Sequence, residues 1–207
     1  MRLERIAVLV SGGGSNLQAV IDAIDAGTIP ARIVAVIADR EAYGLERARK
    51  AGIPAYLVDR KQPGFHERIE GLLESCGAQA IVLAGYLSIV DPRLVERFRN
   101  RIVNIHPSLI PSFCGMGFFG HHVHEGVVRY GCKVSGATVH FVDEGADTGP
   151  IIAQRTVPVY AEDSAGDLAA RVLEVEHQLL PEAVALLCQG RLRVDGRIVT
   201  VLSEEEL

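Results

Sequence analysis

The chain has 207 residues, of which 48% are hydrophobic and 23% are charged. This length and composition are typical of a single globular domain with a sizeable core, and they exclude disordered, collagen-like and coiled-coil chains. The net charge of -5 argues against nucleic-acid binding, which needs a basic surface. The partner is therefore expected to be a small molecule.

Composition and patterning give no sign of a membrane segment or a metal site. No apolar run approaches the roughly 20 residues needed to cross a bilayer. The apolar stretch 6–10 is too short for a signal peptide. The four cysteines lie far apart without a CxxC pair, which argues against a disulfide framework or a zinc site. We expect a cytoplasmic protein with reduced thiols.

Apolar runs alternate with helical patterns in the first half of the chain. The runs are continuous, which is typical of strands buried on both faces of a sheet. They cover residues 6–10, 33–38, 55–58 and 80–84. Between them, apolar residues recur at helical spacing, and Asp91 followed by Pro92 is a typical helix start. The pattern predicts the α/β class, with a single doubly wound, mostly parallel sheet and flanking helices.

The second half has a different pattern. Residues 107–120 hold prolines and glycines without a sustained period, so a long irregular loop is predicted there. Residues 137–142 alternate as a strand does, and a turn-rich segment leads to a further strand. A long amphipathic helix follows, and we expect Pro181 to interrupt it. A hairpin with a type I′ turn at Asp195 and Gly196 is predicted near the end.

The segment SGGGSN, residues 11–16, lies between the first predicted strand and its helix. Its glycines allow a tight turn, and the free N–H groups of a helix N terminus attract an anion. A single phosphate is the favoured ligand, and a tight turn capped by Ser15 is the alternative. The GK[ST] ending of a P-loop is missing. Leu17 replaces the third glycine of a dinucleotide fingerprint, although Asp39 could imitate the ribose-binding acid of that fingerprint.

A second candidate site lies in IVNIHPSLIP, residues 102–111. Asn104 and His106 are two positions apart, so an extended strand points both side chains to the same side. Ligands of open α/β sheets bind at such strand ends. An Asn amide can donate to a developing oxyanion, and a His can hydrogen-bond and move protons near neutral pH. Either residue alone is more often structural, whereas the pair indicates catalysis.

Three further motifs carry weaker signals. GMGFFG, residues 115–120, matches GxGxxG but does not follow a strand, so it does not indicate a dinucleotide site. HHVH, residues 121–124, is expected to be a group of solvated loop histidines, because no other ligand lies at metal-site spacing. DEGADTGP, residues 143–150, fits a solvated turn or a cation site. A carboxylate from this segment beside His106 would raise the pKa of the imidazole.

Five segments form a combination that is specific to one family. They are SGGGSN, YGLERAR at 43–49, AGYL at 84–87, NIHPSLIPSF at 104–113 and ATVHFVDEGADTGPII at 137–152. Together they resemble the phosphoribosylglycinamide formyltransferase family, and the resemblance covers nearly the whole chain. It implies one Rossmann-like domain, 1–207, with ribonucleotide binding in 1–100 and catalysis and folate binding in 101–207. The implied activity is formyl transfer from 10-formyltetrahydrofolate to glycinamide ribonucleotide without a metal, by a monomer or homodimer.

The resemblance also implies roles for individual residues. The expected catalytic residues are Asn104, His106 and Asp147, with the Asp carboxylate holding the His protonated. The expected substrate-binding residues are Gly13, Gly14, Ser15, Asn16 and Glu176. The expected folate-binding residues are Lys61, Leu87, Ser88, Ile89, Val90, Asp143, Glu144, Gly145 and Ala146. Ser88 departs from the family, which often has Arg there, and Arg60 is an alternative to Lys61 at the folate tail.

Other activities remain as alternatives. Methionyl-tRNA formyltransferase and formyltetrahydrofolate deformylase share the core motifs, but each adds a further domain, for which we expect no room in 207 residues. A nucleotide-binding sensor would use only the SGGGSN turn and would not need Asn104, His106 and Asp147 together. A dehydrogenase would need the missing third glycine.

Overall fold

The computed structural model describes residues 3–206 of the chain. Its strands are β1 Glu4–Val10, β2 Ala31–Ala38, β3 Ala55–Leu57, β4 Ala80–Leu83, β5 Ile102–His106, β6 Val134–Phe141, β7 Ile151–Pro158, β8 Leu192–Asp195 and β9 Ile198–Val201. Its α-helices are α1 Ser15–Asp25, α2 Tyr43–Lys50, α3 Phe65–Ser75, α4 Pro92–Arg97, α5 His121–Tyr130 and α6 Ala165–Cys188, and a 3₁₀ helix covers Glu204–Glu206. Within the described range, no helix is long and apolar enough to cross a membrane.

Seven strands form one sheet in the order β3-β2-β1-β4-β5-β6-β7, and β8 pairs with β9 in a separate hairpin. Strands β1 to β5 are parallel, and β6 runs antiparallel to both of its neighbours. The strand order reverses between β1 and β4. In doubly wound sheets such a reversal opens a crevice where ligands bind. The predicted doubly wound, mostly parallel α/β fold is confirmed.

The continuous apolar runs are buried on both faces of the sheet. In β1, Ile6, Val8 and Val10 pack with residues of α1, α2, α5 and α6, whereas Ala7 and Leu9 pack with residues of α3 and α4. Each of these β1 side chains is at most 1% exposed. Burying one large apolar side chain contributes about 1.5–3 kcal/mol. The two helix layers therefore fix β1, and the loop that follows it, from both sides.

Two predictions for the helices were wrong. The HHVH segment opens α5 instead of forming a solvated loop, and His124 is buried. Helix α6 is continuous through Pro181, which was expected to interrupt it. Proline removes one backbone hydrogen bond, but the buried face around Leu180 and Val184 packs on the sheet and holds the helix together.

The terminal hairpin forms as predicted, but its turn differs. Asp195 pairs with Ile198 across the hairpin, so the two central residues are Gly196 and Arg197. Gly196 has a φ of 57°, whereas Arg197 is not among the residues with positive φ. A type I′ turn needs positive φ at both central positions, so the predicted turn type was wrong.

Candidate active site

A cavity of about 710 Å³ lies at the carboxyl ends of β1, β4 and β5. The crossover pattern of the sheet brings the loops after these strands together there. Every site residue predicted from the sequence lines the cavity except Lys61. Lys61 is exposed, and its backbone N–H donates to Asp59 Oδ1 at 2.9 Å. The structure thus gathers the predicted set at one place, while the roles of its members stay predictions.

The glycine loop after β1 leads into α1 with a free helix N terminus. Gly14 is the N-cap residue with a φ of 71°, and no side chain caps the helix. The alternative of a turn capped by Ser15 is therefore wrong, because Ser15 is already the first helical residue. A Cβ on Gly14 would lie 2.6 Å from Gly44 Cα. Only glycine fits this close approach of the α2 start, and the unpaired N–H groups suit an anion.

Helices α1 and α6 contribute a polar pair to the cavity. Asn16 Nδ2 donates to Glu176 Oε2 at 2.6 Å, and both residues are buried. Burial raises the pKa of Glu176 to about 7, although the hydrogen bond from Asn16 opposes the shift. Asn16 Oδ1 has no partner among the described residues. The pair offers a ligand one carboxyl and one amide oxygen beside the phosphate-sized turn.

Strand pairing places Asn104 opposite His140. Asn104 Nδ2 lies 3.1 Å from His140 Nε2. His140 Nδ1 lies 2.8 Å from Phe141 O, so Nδ1 carries the proton and Nε2 accepts from the amide. His140 was not among the predicted site residues. The sequence pattern that could have indicated it is the alternation of residues 137–142, which puts His140 on the same strand face as Thr138.

His106 and Asp147 meet as predicted. His106 Nδ1 lies 3.6 Å from Asp147 Oδ2, and Asp147 Oδ1 lies 3.6 Å from His140 Nε2. On its other side, His106 Nε2 donates to Phe113 O at 2.9 Å. The carboxylate therefore sits between two imidazole nitrogens, and it can accept a hydrogen bond from His106 once Nδ1 is protonated.

The expected rise in the pKa of His106 was wrong. Burial lowers this pKa below its usual value, and the nearby Asp147 charge and the bond to Phe113 O only partly oppose the effect. His106 is 4% exposed, so its charged form loses most of its hydration. The resting imidazole is accordingly neutral at pH 7, with its proton on Nε2. The carboxylate of Asp147 is charged, because hydrogen bonds and the two histidines outweigh the effect of its own burial on its pKa.

The DEGADTGP loop has unusual backbone geometry at Asp147 and Gly149. Asp147 has a φ of 58°, and its Oδ2 accepts from Gly115 N–H at 2.9 Å. A Cβ on Gly149 would lie 1.8 Å from Phe141 O, so this position requires glycine. Thr148 Oγ1 donates to Asp143 Oδ1 at 2.6 Å within the loop. Among the described residues, no group of three or more potential ligands is placed to hold a metal ion.

The wall predicted to bind folate follows β4. Leu87 and Ile89 line the cavity with 44% and 63% of their surfaces exposed. Ser88 points elsewhere, since its hydroxyl donates to Asp39 Oδ2 at 2.5 Å. Asp39 was considered as a ribose-binding acid, but it is fully buried and does not line the cavity. That interpretation of Asp39 was wrong.

The 107–120 loop closes one side of the cavity. It contains no helix or strand, as predicted, and Met116 and Phe119 line the cavity while largely exposed. The α5 helix that follows contributes His124, whose Nδ1 has no partner among the described residues. Burial lowers the pKa of His124 to about 4, so this ring is neutral near pH 7. The GMGFFG segment thus serves as an apolar cover.

Comparison with known proteins agrees with this geometry. A model of the formyl transferase family matches residues 4–184. The phosphoribosylglycinamide formyltransferase of Haemophilus influenzae is 41% identical over 201 residues, which cover 95% of this chain and 92% of that protein. The chloroplastic enzyme of the same name from Vigna unguiculata is 42% identical over 207 residues, which cover 95% of this chain and 65% of that longer protein.

Solved structures give the same result. The crystal structure of glycinamide ribonucleotide transformylase 1 from Symbiobacterium toebii superposes with a TM-score of 0.91 at 43% identity. The match covers 98% of this chain and 95% of that one. The fold is thus shared with relatives of known structure. The chain belongs to the formyl transferase family, and within it to the phosphoribosylglycinamide formyltransferases.

Proposed function

We propose that this protein transfers the formyl group of 10-formyltetrahydrofolate to the primary amine of N1-(5-phospho-D-ribosyl)glycinamide in de novo purine biosynthesis. The products are formylglycinamide ribonucleotide and tetrahydrofolate. The observation that carries the proposal is the convergence of Asn104, His106 and Asp147 in a cavity that also contains the uncapped start of α1. We place the enzyme in the cytoplasm and assign no metal to it.

The ribonucleotide binds through its phosphate to the glycine loop. Gly13, Gly14 and Ser15 present backbone N–H groups at the positive end of the α1 dipole, which favours an anion. Asn16 and Glu176 then meet the ribose or the glycinamide end. Their buried hydrogen bond fixes both side chains before the substrate arrives.

The reacting groups meet at Asn104 and His106. The amine nitrogen attacks the formyl carbon, forms a C–N bond and converts the carbonyl into a tetrahedral oxyanion. Asn104 Nδ2 carries a second hydrogen besides the one given to His140, and His106 Nε2–H is a second donor. The formyl oxygen competes with Phe113 O for that donor. The intermediate collapses by breaking the bond to N10 of the folate, which takes up the proton that the amine releases.

The folate occupies the apolar side of the cavity. Leu87, Ile89 and Val90 offer an apolar wall for the pterin ring, and residues 143–146 line the same cavity. Ring burial against such a wall is favourable by about 25 cal/mol per Å² of apolar surface. Lys61 lies outside the cavity, and we propose that it meets the carboxylates of the folate tail at the rim.

The assay that tests this function mixes the protein with 10-formyltetrahydrofolate and glycinamide ribonucleotide and follows loss of the formylfolate. We expect turnover only when both are present. Turnover with the folate alone would indicate a deformylase, and turnover only with methionyl-tRNA would indicate the tRNA-directed activity. The matched control acceptor is glycinamide riboside, which lacks the phosphate. It should react with a strongly raised KM if the glycine loop binds phosphate.

A further inference from the structure

A buried carboxylate, paired with a partly exposed arginine, lies beside the cavity without lining it. Asp39 follows β2 and is fully buried, and its carboxylate accepts from Arg40 Nε at 3.0 Å and from Arg40 Nη2 at 2.8 Å. Burial alone would raise the pKa of Asp39, but hydrogen bonds from Arg40, Ser88 and Ser11 hold it below its usual value. The carboxylate is therefore charged at neutral pH. The proposed transfer makes no use of this buried charge.

Ser88 connects the carboxylate to the cavity. Its Oγ donates to Asp39 Oδ2 at 2.5 Å, and the residue itself lines the cavity beside Leu87 and Ile89. The 84–90 segment contains no helix or strand. Its path is not fixed by packing of Leu87 and Ile89 either, because both side chains are exposed. Tyr86 and Val90 pack against the core, so hydrogen bonds define the path of the exposed part of the segment between them.

Ser11, just after β1, holds the same segment at two further points. Its N–H donates to Gly85 O at 3.0 Å, and its Oγ accepts from Leu87 N–H at 2.8 Å. Together with the Ser88 contact, these bonds tie three positions of the segment to the ends of β1 and β2. The contact at Ser88 differs from the others because its acceptor carries a full charge. Such bonds are roughly twice as strong as bonds between neutral groups.

We propose that Asp39 is a positioning residue for the folate site, which acts through Ser88 to set the backbone that presents Leu87 and Ile89 to the pterin ring. The inference rests on the proposed function, since it takes this wall to be the folate surface. Asp39 does not touch the folate, and Arg40 balances its charge. Loss of the contact between Ser88 and Asp39 should weaken folate binding and leave ribonucleotide binding at the glycine loop unchanged.

The test measures tetrahydrofolate binding by isothermal titration calorimetry. The proteins compared are the wild type, Ser88→Ala, Asp39→Asn and the double variant. Each single change should raise the Kd for tetrahydrofolate about 10-fold, which corresponds to one lost hydrogen bond to a charged group. The Kd of the double variant should be no higher than that of the single variant with the higher Kd, because both changes break the same contact. The KM for the ribonucleotide should stay at the wild-type value.

Two residues provide matched controls. Asp163 forms a partly buried ion pair with Arg171, and Ser135 is a buried serine of β6. Neither residue lines the cavity. Asp163→Asn and Ser135→Ala therefore repeat the same chemical changes elsewhere in the fold. They should leave the Kd for tetrahydrofolate unchanged, whatever they do to the melting temperature.

Several outcomes would overturn the proposal. An unchanged Kd in Ser88→Ala would do so, as would additive effects in the double variant or an equal rise in the ribonucleotide KM. If Asp39→Asn fails to fold, Ser88→Ala still decides the matter through its folate Kd alone. A wild type that binds no tetrahydrofolate contradicts the proposed function as well. A wild type that binds folate, with variants that bind it equally well, contradicts the positioning role alone.

Discussion

Replacing Asp147 by Asn should lower the pKa of His106 further and slow formyl transfer. The carboxylate lies 3.6 Å from His106 Nδ1. At about this separation, opposite charges attract by about 1 kcal/mol in water and about 4 kcal/mol at an effective dielectric constant of 20. The Asp147 charge therefore favours the imidazolium form of His106 over the neutral ring. Burial already holds the pKa of His106 below its usual value, so the loss of Asp147 adds to that shift.

The kinetic effect follows from the protonation equilibrium. At pH 7 the imidazolium fraction of His106 falls about 10-fold for each unit by which the pKa drops. If the imidazolium stabilises the oxyanion, kcat at neutral pH should fall at least about 5-fold in Asp147→Asn, the factor that corresponds to about 1 kcal/mol. The pH profile should move to lower pH. His106→Ala should also be slow, and adding Asp147→Asn to it should cost little more, because the two residues act as a unit.

An NMR titration measures the pKa directly. The seven histidines of the chain give separate imidazole signals, and His106→Gln identifies the one that belongs to His106. Asp25→Asn is the matched control, since it removes the same charge from the exposed end of α1. Equal His106 pKa values in the wild type and in Asp147→Asn would refute the reasoning. Asp147 would then act by ordering its own loop through the bond to Gly115.

The other predictions concern three positions of the cavity. Asn104→Ala should keep near-normal stability but lose about 100- to 1000-fold in kcat, which full activity would contradict. Gly14→Ala should lower the free energy of unfolding, measured by urea denaturation, by at least about 2 kcal/mol and raise the ribonucleotide KM. Gly12→Ala has open space around its Cβ, so its free energy of unfolding should fall far less. The free energy of unfolding should fall by up to about 3 kcal/mol between pH 4.5 and 7, because Glu176 ionises in the unfolded chain but stays protonated in the folded one. Glu176→Gln should abolish that slope.

Much of the site could be predicted because it lies on regular elements. The two-residue spacing of Asn104 and His106 on a strand fixes their common side, whatever the surrounding packing. The SGGGSN turn is local, and its meaning depends only on a strand before it and a helix after it. The contact between His106 and Asp147 spans 41 positions, and only the family resemblance indicated it.

The errors came from interactions that no local pattern contains. The pKa of His106 depends on how deeply the ring is buried as well as on Asp147, and burial has the larger effect. The position of His140 in the site depends on strand pairing, which sets it opposite Asn104. The contact of Ser88 could not be predicted from the sequence either, because its hydroxyl bonds to Asp39, which lies 49 positions away in the sequence.

Burial and the Asp147 charge have opposite effects on the pKa of His106, and the proposed reaction uses both. Burial lowers the pKa, so the imidazolium is a stronger acid and a better donor to the oxyanion once it forms. The same burial reduces the fraction of imidazolium at neutral pH. The Asp147 carboxylate restores part of that fraction, and it is itself kept charged by the histidines and by Gly115. Without burial the donor would be weak, and without the carboxylate it would rarely be protonated, so the pH optimum reports the balance between the two.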